Sequence, residues 1–304
     1  MNLKVRYKKA LGLNPAGRPS KALGQNFLRD QNLARKIAEA GDIQAGDLVL
    51  EIGPGEGILT TQILARGARV VAVEKDERLC KLLAEKFANQ IQSGSLVLVH
   101  DDILKLDPLP TSPLAGGGVP YKLIANIPYY ITGAILRKFL TAKHQPECMV
   151  LMLQKEVAER IVARDGRESI LSISVKVFGN PKILFRVRRG AFRPAPNVDS
   201  AVLVIENISR ERFHLPPTPS QREGETFLPF GRRNKEGVEE NFFKILRAGF
   251  AHPRKKLSSN LKPLFGNKPP PGLPFIKGEE QGGGLNARAE NLTLAQWLKL
   301  AEML

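Results

Sequence analysis

Cysteine is scarce: the 304-residue chain has two. Cys80 and Cys148 have too few and too scattered partners for a zinc site, which excludes a metal cluster and a disulfide framework and points to a reducing compartment. Long apolar runs are missing too. No window approaches the ~18 consecutive apolar residues of a membrane span, and residues 1 to 30 lack the apolar core of a secretory signal. A cytoplasmic, non-membrane protein is expected. The first 20 residues contain a single serine, Ser20, so a serine-rich transit peptide fits them poorly. No internal repeat is evident.

Acidic residues are absent from three segments. Residues 1 to 29 hold seven basic side chains, residues 182 to 193 hold five, and residues 241 to 262 hold six, without one Asp or Glu. These 18 exceed the net charge of +16 carried by the whole chain, so the remainder is slightly acidic. Solvated surface explains most charge runs, but three acid-free blocks fit a polyanion partner better, most simply nucleic acid. Arg188, Arg189 and Arg193 in the second block, and Arg254, Lys255 and Lys256 in the third, are the candidate phosphate contacts. An anionic membrane is a weaker partner, because no sustained basic helix carries Trp or Phe on its apolar face.

With 42% hydrophobic and 25% charged residues, the chain can bury a sizeable core, and its length suggests about two domains. From residue 47 onward the pattern alternates between strand and helix. Apolar runs at 48–52, 69–73, 95–99, 121–125, 148–153, 172–178 and 201–205 read as strands. Leu79, Leu82, Leu83 and Phe87 mark a helix face. Such alternation predicts a parallel, doubly wound α/β sheet whose ligands bind at the carboxyl ends of its strands. Residues 207–240, rich in Pro, Gly and charge from 214 on, read as a linker or long loop. Beyond it, Phe242, Phe243, Leu246 and Phe250 share one helix face, and Thr293 can cap a helix presenting Leu294, Trp297, Leu298 and Ala301. The expected divisions are a basic extension at 1–20, a sheet domain at 21–206, that linker, and a helical domain at 241–304.

The strongest local motif is Glu51-Ile52-Gly53-Pro54-Gly55-Glu56-Gly57, directly after a strand and before a helix. Gly53 and Gly55 let the backbone approach a ligand closely. Glu74 ends the next strand, 21 residues after Gly53, where a carboxylate can accept from both hydroxyls of an adenosine ribose. A dinucleotide site favours GxGxxG facing pyrophosphate. Here the spacing is GxGxG, and Glu51 would repel phosphate while suiting a ligand with an ammonium and a sulfonium. S-adenosylmethionine is therefore the expected cofactor. Asp102, after the third strand, can accept from the cofactor's adenine amine; a helix N-cap is the competing reading.

The fourth strand ends in Asn126-Ile127-Pro128-Tyr129. An aromatic exocyclic amine is a poor nucleophile, because its lone pair is delocalised into the ring. Acceptors at the Asn126 side-chain oxygen and the Ile127 carbonyl would favour a pyramidal nitrogen aimed at the methyl group. Pro128 stiffens the turn, and Tyr129 offers a ring on which a flipped-out base can stack.

Gly24-Gln25-Asn26-Phe27-Leu28, the glycine loop, Glu74, Asp102, the Asn-Ile-Pro-Tyr turn, Leu153-Gln154-Lys155-Glu156-Val157, Phe192-Arg193-Pro194-Ala195-Pro196 and Val198-Asp199-Ser200-Ala201 occur in that order. Together they closely resemble the ribosomal RNA adenine dimethyltransferases of the KsgA type, over residues 20 to 206 and again at 242 to 262 and near the C-terminus. The resemblance implies a Rossmann-like S-adenosylmethionine-dependent sheet with a small helical C-terminal domain. It also implies dimethylation of the N6 amines of two adjacent adenosines near the 3′ end of small-subunit ribosomal RNA, during subunit maturation. By that resemblance Asn26 and Leu28 would line the cofactor's methionine side, Gly53 its loop, Glu74 the ribose, Asp102 the adenine and Asn126 the reacting amine. Phe192 would face Tyr129 across the target base. A monomer acting on the immature small subunit is expected. Two alternatives stand beside it: a related large-subunit RNA methyltransferase of macrolide resistance, and a non-catalytic assembly or transcription factor on the same fold. A glycine-rich insertion at 111–118 departs from the family pattern without removing a motif residue.

Overall fold

A computed structural model describes residues 26–106, 119–213, 235–266 and 287–304. The extension at 1–20, the insertion at 111–118 and residues 214–234 of the long loop lie outside them. The chain divides into two compact units. One runs through Glu159 and includes Asn180–Ile208; the other comprises Arg160–Gly179 and Ser209–Leu304. Residues 160–179, inside the segment expected to form the sheet domain, thus cluster with the helical part.

The first unit begins with β1 (Phe27–Leu28), α1 (Gln31–Ala40), β2 (Leu48–Ile52), α2 (Ile58–Leu64), β3 (Arg69–Glu74), α3 (Glu77–Lys86) and α4 (Ala88–Ser93). It continues through β4 (Leu96–His100), β5 (Tyr121–Asn126), α5 (Thr132–Leu140) and β6 (Cys148–Gln154). After α6 (Lys155–Val162) and α7 (Ile170–Lys176), it resumes with β7 (Asn180–Val187), β8 (Phe192–Arg193) and β9 (Ser200–Glu206). The main sheet has the order β4-β3-β2-β5-β6-β9-β7. Its β4-β3-β2-β5-β6 portion is parallel, as expected, whereas β9 runs antiparallel to β6 and to β7 at one edge.

The central strands are apolar because both of their faces are covered. Leu123, Ile124 and Ala125 of β5 are fully buried, as is Val49 of β2. Helices α1 and α3 begin where Asp30 and Asp76 accept from backbone N–H groups in the first turn, the usual service of an Asp N-cap. From β2 the chain winds outward to β3 and β4, then returns to the other side of β2 as β5. That reversal opens a crevice at the carboxyl ends of β2 and β5.

Two elements differ from the sequence reading. Residues 172–178, expected as a strand, lie in and just after helix α7. Their apolar residues alternate, but Ser169 and Ser172 form a reciprocal capping box that starts a helix. Strand β7 was not expected, since Pro181 and its basic residues obscure the pattern. Among the described residues it pairs along one side only, with β9, and an edge strand tolerates both features.

In the second unit, α8 (Lys235–Gly249) starts within the expected linker, and Glu239 on it pairs with Arg210 at 2.9 Å. Phe242 and Phe243 join Phe178 and Phe213 in an aromatic cluster. After α9 (Leu257–Phe265), α10 (Leu294–Glu302) starts at a Thr293–Gln296 capping box and stacks Trp297 on Phe250. Its buried stripe is Gln296, Trp297, Leu300 and Ala301. Leu294 and Leu298, expected on that stripe, are half-buried.

Candidate functional site

The crevice is a pocket built from the ends of four parallel strands and the β1–β8 ribbon. Gly53 and Gly55 follow β2, Glu74 ends β3, Asp102 follows β4, and Asn126, Ile127, Pro128 and Tyr129 end or follow β5; all line it. Asn26, Leu28 and Phe192 line it as well. Leu28 is paired with Phe192 in the antiparallel ribbon, and Arg29 N–H donates to the Ala191 carbonyl at 3.0 Å. Every sequence-predicted cofactor and catalytic residue therefore lies around one cavity. The candidate phosphate contacts do not line it; Arg188, Arg189 and Arg193, and in the other unit Arg254, Lys255 and Lys256, are exposed.

The loop after β2 is tied to the next strand. Glu74 is buried; one of its carboxylate oxygens accepts from the Lys75 and Asp76 N–H groups at 2.8 and 2.9 Å, the other from Gly55 N–H at 3.2 Å. Burial raises its pKa even though these three bonds favour the anion. Asp102 opens a turn and not a helix among the described residues, so the competing N-cap reading is not met, and its carboxylate has two partners of its own. Its Oδ1 accepts from Leu104 N–H at 3.0 Å, bracing that turn, while its Oδ2 faces the Lys75 ammonium at 3.0 Å. Partial burial raises its pKa, but these partners outweigh that and hold the carboxyl below its ordinary value.

On the opposite side, Asn126 Nδ2 donates to the Asn26 carbonyl at 3.3 Å. That bond settles the amide's orientation and leaves Oδ1 as its acceptor end. The following turn is braced: Ile131 N–H donates to the Pro128 carbonyl at 3.1 Å and the Thr132 hydroxyl to the Tyr129 carbonyl at 3.0 Å. Tyr129 Oη and the buried Ser200 Oγ share a 2.8 Å hydrogen bond. This anchors a ring that is only half-buried.

Sequence reasoning missed what surrounds these residues. Ser200 lies in a motif whose sequence assigns it no role, and no sequence signal marks Lys75 as the partner of Asp102. Glu51 was read as flanking a ligand, yet it is 1% exposed within the central strand β2, and neither carboxylate oxygen has a hydrogen-bond partner among the described residues. The nearby Thr60 hydroxyl on α2 is also unpartnered among them. Burial pushes Glu51 up to about 8, with Glu74 adding to the rise and Thr60 and Lys86 opposing it. A charge in an apolar strand was the available signal. Among the described residues no cluster of His, Cys, Asp or Glu could hold a metal, and no helix is long and apolar enough to cross a membrane.

Two acceptor carboxylates beside a glycine turn at a switch point suit an adenosyl group. The buried Glu51 carboxyl, in a residue of the pocket lining and without a hydrogen-bond partner among the described residues, suits a nearby cation and would oppose a pyrophosphate. The fold and the cleft are those of the S-adenosylmethionine-dependent methyltransferases. Residues 18–214 match the model of the ribosomal RNA adenine dimethylase family. "Ribosomal RNA small subunit methyltransferase A" of Dehalococcoides mccartyi strain BAV1 is 42% identical over 283 residues, covering 92% of this chain and 86% of that protein. The protein of the same name from Pelotomaculum thermopropionicum is 40% identical over 254 residues, covering 80% and 77%. Among solved structures, the 23S rRNA methyltransferase ErmE superimposes with a TM-score of 0.66 at 26% identity, covering 91% of this chain and 99% of that one. A Plasmodium falciparum dimethyladenosine transferase, at 24% identity, shares the fold with a TM-score of 0.66 over 90% and 95%. This chain belongs to the ribosomal RNA adenine dimethylase family.

Proposed function

We propose that the protein dimethylates the N6 amines of two adjacent adenosines near the 3′ end of small-subunit (16S) ribosomal RNA, as a cytoplasmic monomer acting during subunit maturation. The observation that carries this reading is Asn126, which lines the pocket and gives one amide N–H to the Asn26 carbonyl, an orientation that presents Oδ1 as an acceptor for an amine. Bound S-adenosylmethionine supplies an activated methyl group on a sulfonium. Glu74 would accept from the ribose hydroxyls, Asp102 from the cofactor's adenine amine, and Glu51 would face the ammonium. Asn126 Oδ1 and the Ile127 carbonyl would accept from the target amine and turn its lone pair out of conjugation. Tyr129 and Phe192 would hold the extruded base between them. The amine becomes strongly acidic as it is alkylated, so no strong general base is required. Positioning and electrostatics carry the rate.

Exposed Arg188, Arg189 and Arg193, with Arg254, Lys255 and Lys256, would contact phosphates, which position RNA without reading its sequence. Identity of 42% to a small-subunit enzyme, against 26% to a large-subunit one, favours the small subunit. The test is incubation with labelled S-adenosylmethionine and separated small- and large-subunit particles, then mass measurement of each adenosine. Two methyl groups on each of two neighbouring small-subunit adenosines are expected. Label confined to the large subunit would overturn the assignment.

A further inference from the structure

We infer that Glu51 gives up a proton to solvent when the cofactor binds, so that cofactor affinity is coupled to pH through a carboxyl group inside the central strand. The inference rests on the cofactor reading of the cleft and adds to it a charge change that the unliganded pocket stores. Glu51 is 1% exposed, lines the pocket, and has two oxygens without a hydrogen-bond partner among the described residues. An ionised carboxylate with no donor in such a place is costly. The neutral acid is the form that the unliganded pocket favours.

The groups that act on Glu51 are few. Glu74, at the end of neighbouring strand β3, opposes a second negative charge, and Lys86 on α3 attracts one. Lys86, however, is occupied elsewhere: its ammonium donates to the Glu56 carbonyl at 2.8 Å and sits over the Phe87 ring. From α2 Thr60 faces Glu51 with its hydroxyl and its backbone N–H, both of which favour the anion but are outweighed by burial, and the register partners Ala72 on β3 and Ile124 on β5 carry no charge. With burial holding its pKa near 8, Glu51 is mostly protonated at neutral pH.

An α-ammonium against the pocket wall reverses the balance by supplying a nearby positive charge. The balance is simple: a neutral acid and an ammonium ligand become a carboxylate–ammonium pair plus one proton released to buffer. Between the pKa of the complex and that of the free protein, affinity should rise roughly tenfold per pH unit, or about 30-fold from pH 6.0 to 7.5. Above that range Glu51 is already ionised in the free protein, and the rise ends.

S-adenosylhomocysteine is the probe, since it carries the ammonium but transfers no methyl group. Calorimetric titration of the full-length protein at pH 7, in buffers of different ionisation enthalpy, counts released protons. Release of close to one proton is expected, with the affinity gain above. 5′-Methylthioadenosine, which engages Glu74 and Asp102 but has no ammonium, should bind without release. Glu51→Gln should bind S-adenosylhomocysteine with no release and no pH slope over the same range.

Tight binding without proton release, or equal release with both ligands, overturns the inference and leaves the cofactor reading standing. Failure of S-adenosylhomocysteine to bind at any pH overturns the cofactor reading itself. If Glu51→Gln does not fold, the contrast between the two ligands on the unaltered protein still decides.

Discussion

Gly57 closes the loop after β2, and replacing it with alanine should cost more than replacing another left-handed glycine of the same unit. Gly57 has φ +77°, and a Cβ there would lie 2.6 Å from Phe87 Cε2 and 2.8 Å from Leu83 Cδ2. Both side chains are buried, at 5% and 1% exposure, so neither can swing into solvent. The backbone strain is about 1–2 kcal/mol, and forcing a methyl into a filled core adds about 1–3 kcal/mol. Gly57→Ala should therefore destabilise by ~2–5 kcal/mol. Gly94 has a similar φ of +81° but open space around its Cβ position, so Gly94→Ala should show only the backbone share of ~1–2 kcal/mol. Urea unfolding at one pH compares them; with a slope of about 1–3 kcal/mol per molar, the two midpoints should differ by roughly 1 M. Adding Phe87→Leu to Gly57→Ala should recover part of the loss and do nothing for Gly94→Ala, because only the first pair shares a contact. Equal midpoint shifts for the two alanine variants would refute the packing account of the loop.

Asn126→Ala should abolish methyl transfer, by at least ~100-fold given what properly oriented hydrogen-bonding groups contribute, while S-adenosylhomocysteine affinity changes only slightly; retained turnover sinks the amine-positioning role. Glu51 has a raised pKa in the folded protein, so the native state keeps a proton that the unfolded chain has lost above its ordinary value of 4.5. Stability of the unliganded protein should accordingly fall as pH rises from about 5 toward 8, by on the order of a few kcal/mol, and Glu51→Gln should flatten that fall in urea titrations at the two ends. A Glu51→Gln curve parallel to wild type would place the pH dependence elsewhere. Reversing Lys255 and Lys256 to Glu should weaken binding to small-subunit particles and reduce the slope of log affinity against log salt by about 1–2; an unchanged slope would make that block ordinary surface.

The legible parts of the fold were those where burial on both faces leaves an unbroken apolar run. Strands β2, β3, β5 and β6 could be read in this way, and with them the position of the crevice. Residues 172–178 were not, because Leu171, Ile173, Val175 and Val177 alternate with polar residues in a strand-like period, and only the Ser169–Ser172 cap decides for a helix. Strand β7 was hidden for the opposite reason: an edge needs neither a continuous apolar run nor every N–H. Within the cleft, residues at strand ends could be placed from local pattern alone. Phe192 could not, since its position follows from pairing with Leu28, a contact between distant parts of the chain that no local period encodes. Glu51 was legible as a carboxylate near a ligand but not as a buried, partnerless one, because that property belongs to the strands and helix around it.

The ribbon that joins Phe27–Leu28 to Phe192–Arg193 also bears on how the protein is made. A nascent chain emerging N-terminus first can assemble β2 through β6 and the glycine loop from local and sequential contacts. The wall that carries Asn26 and Leu28 has no strand to pair with until residues 192 and 193 have left the exit tunnel. Until that moment the open cleft would have its floor and one side but not its clasp. The cleft is thus closed by a contact whose second half comes late in synthesis, well past the middle of the chain.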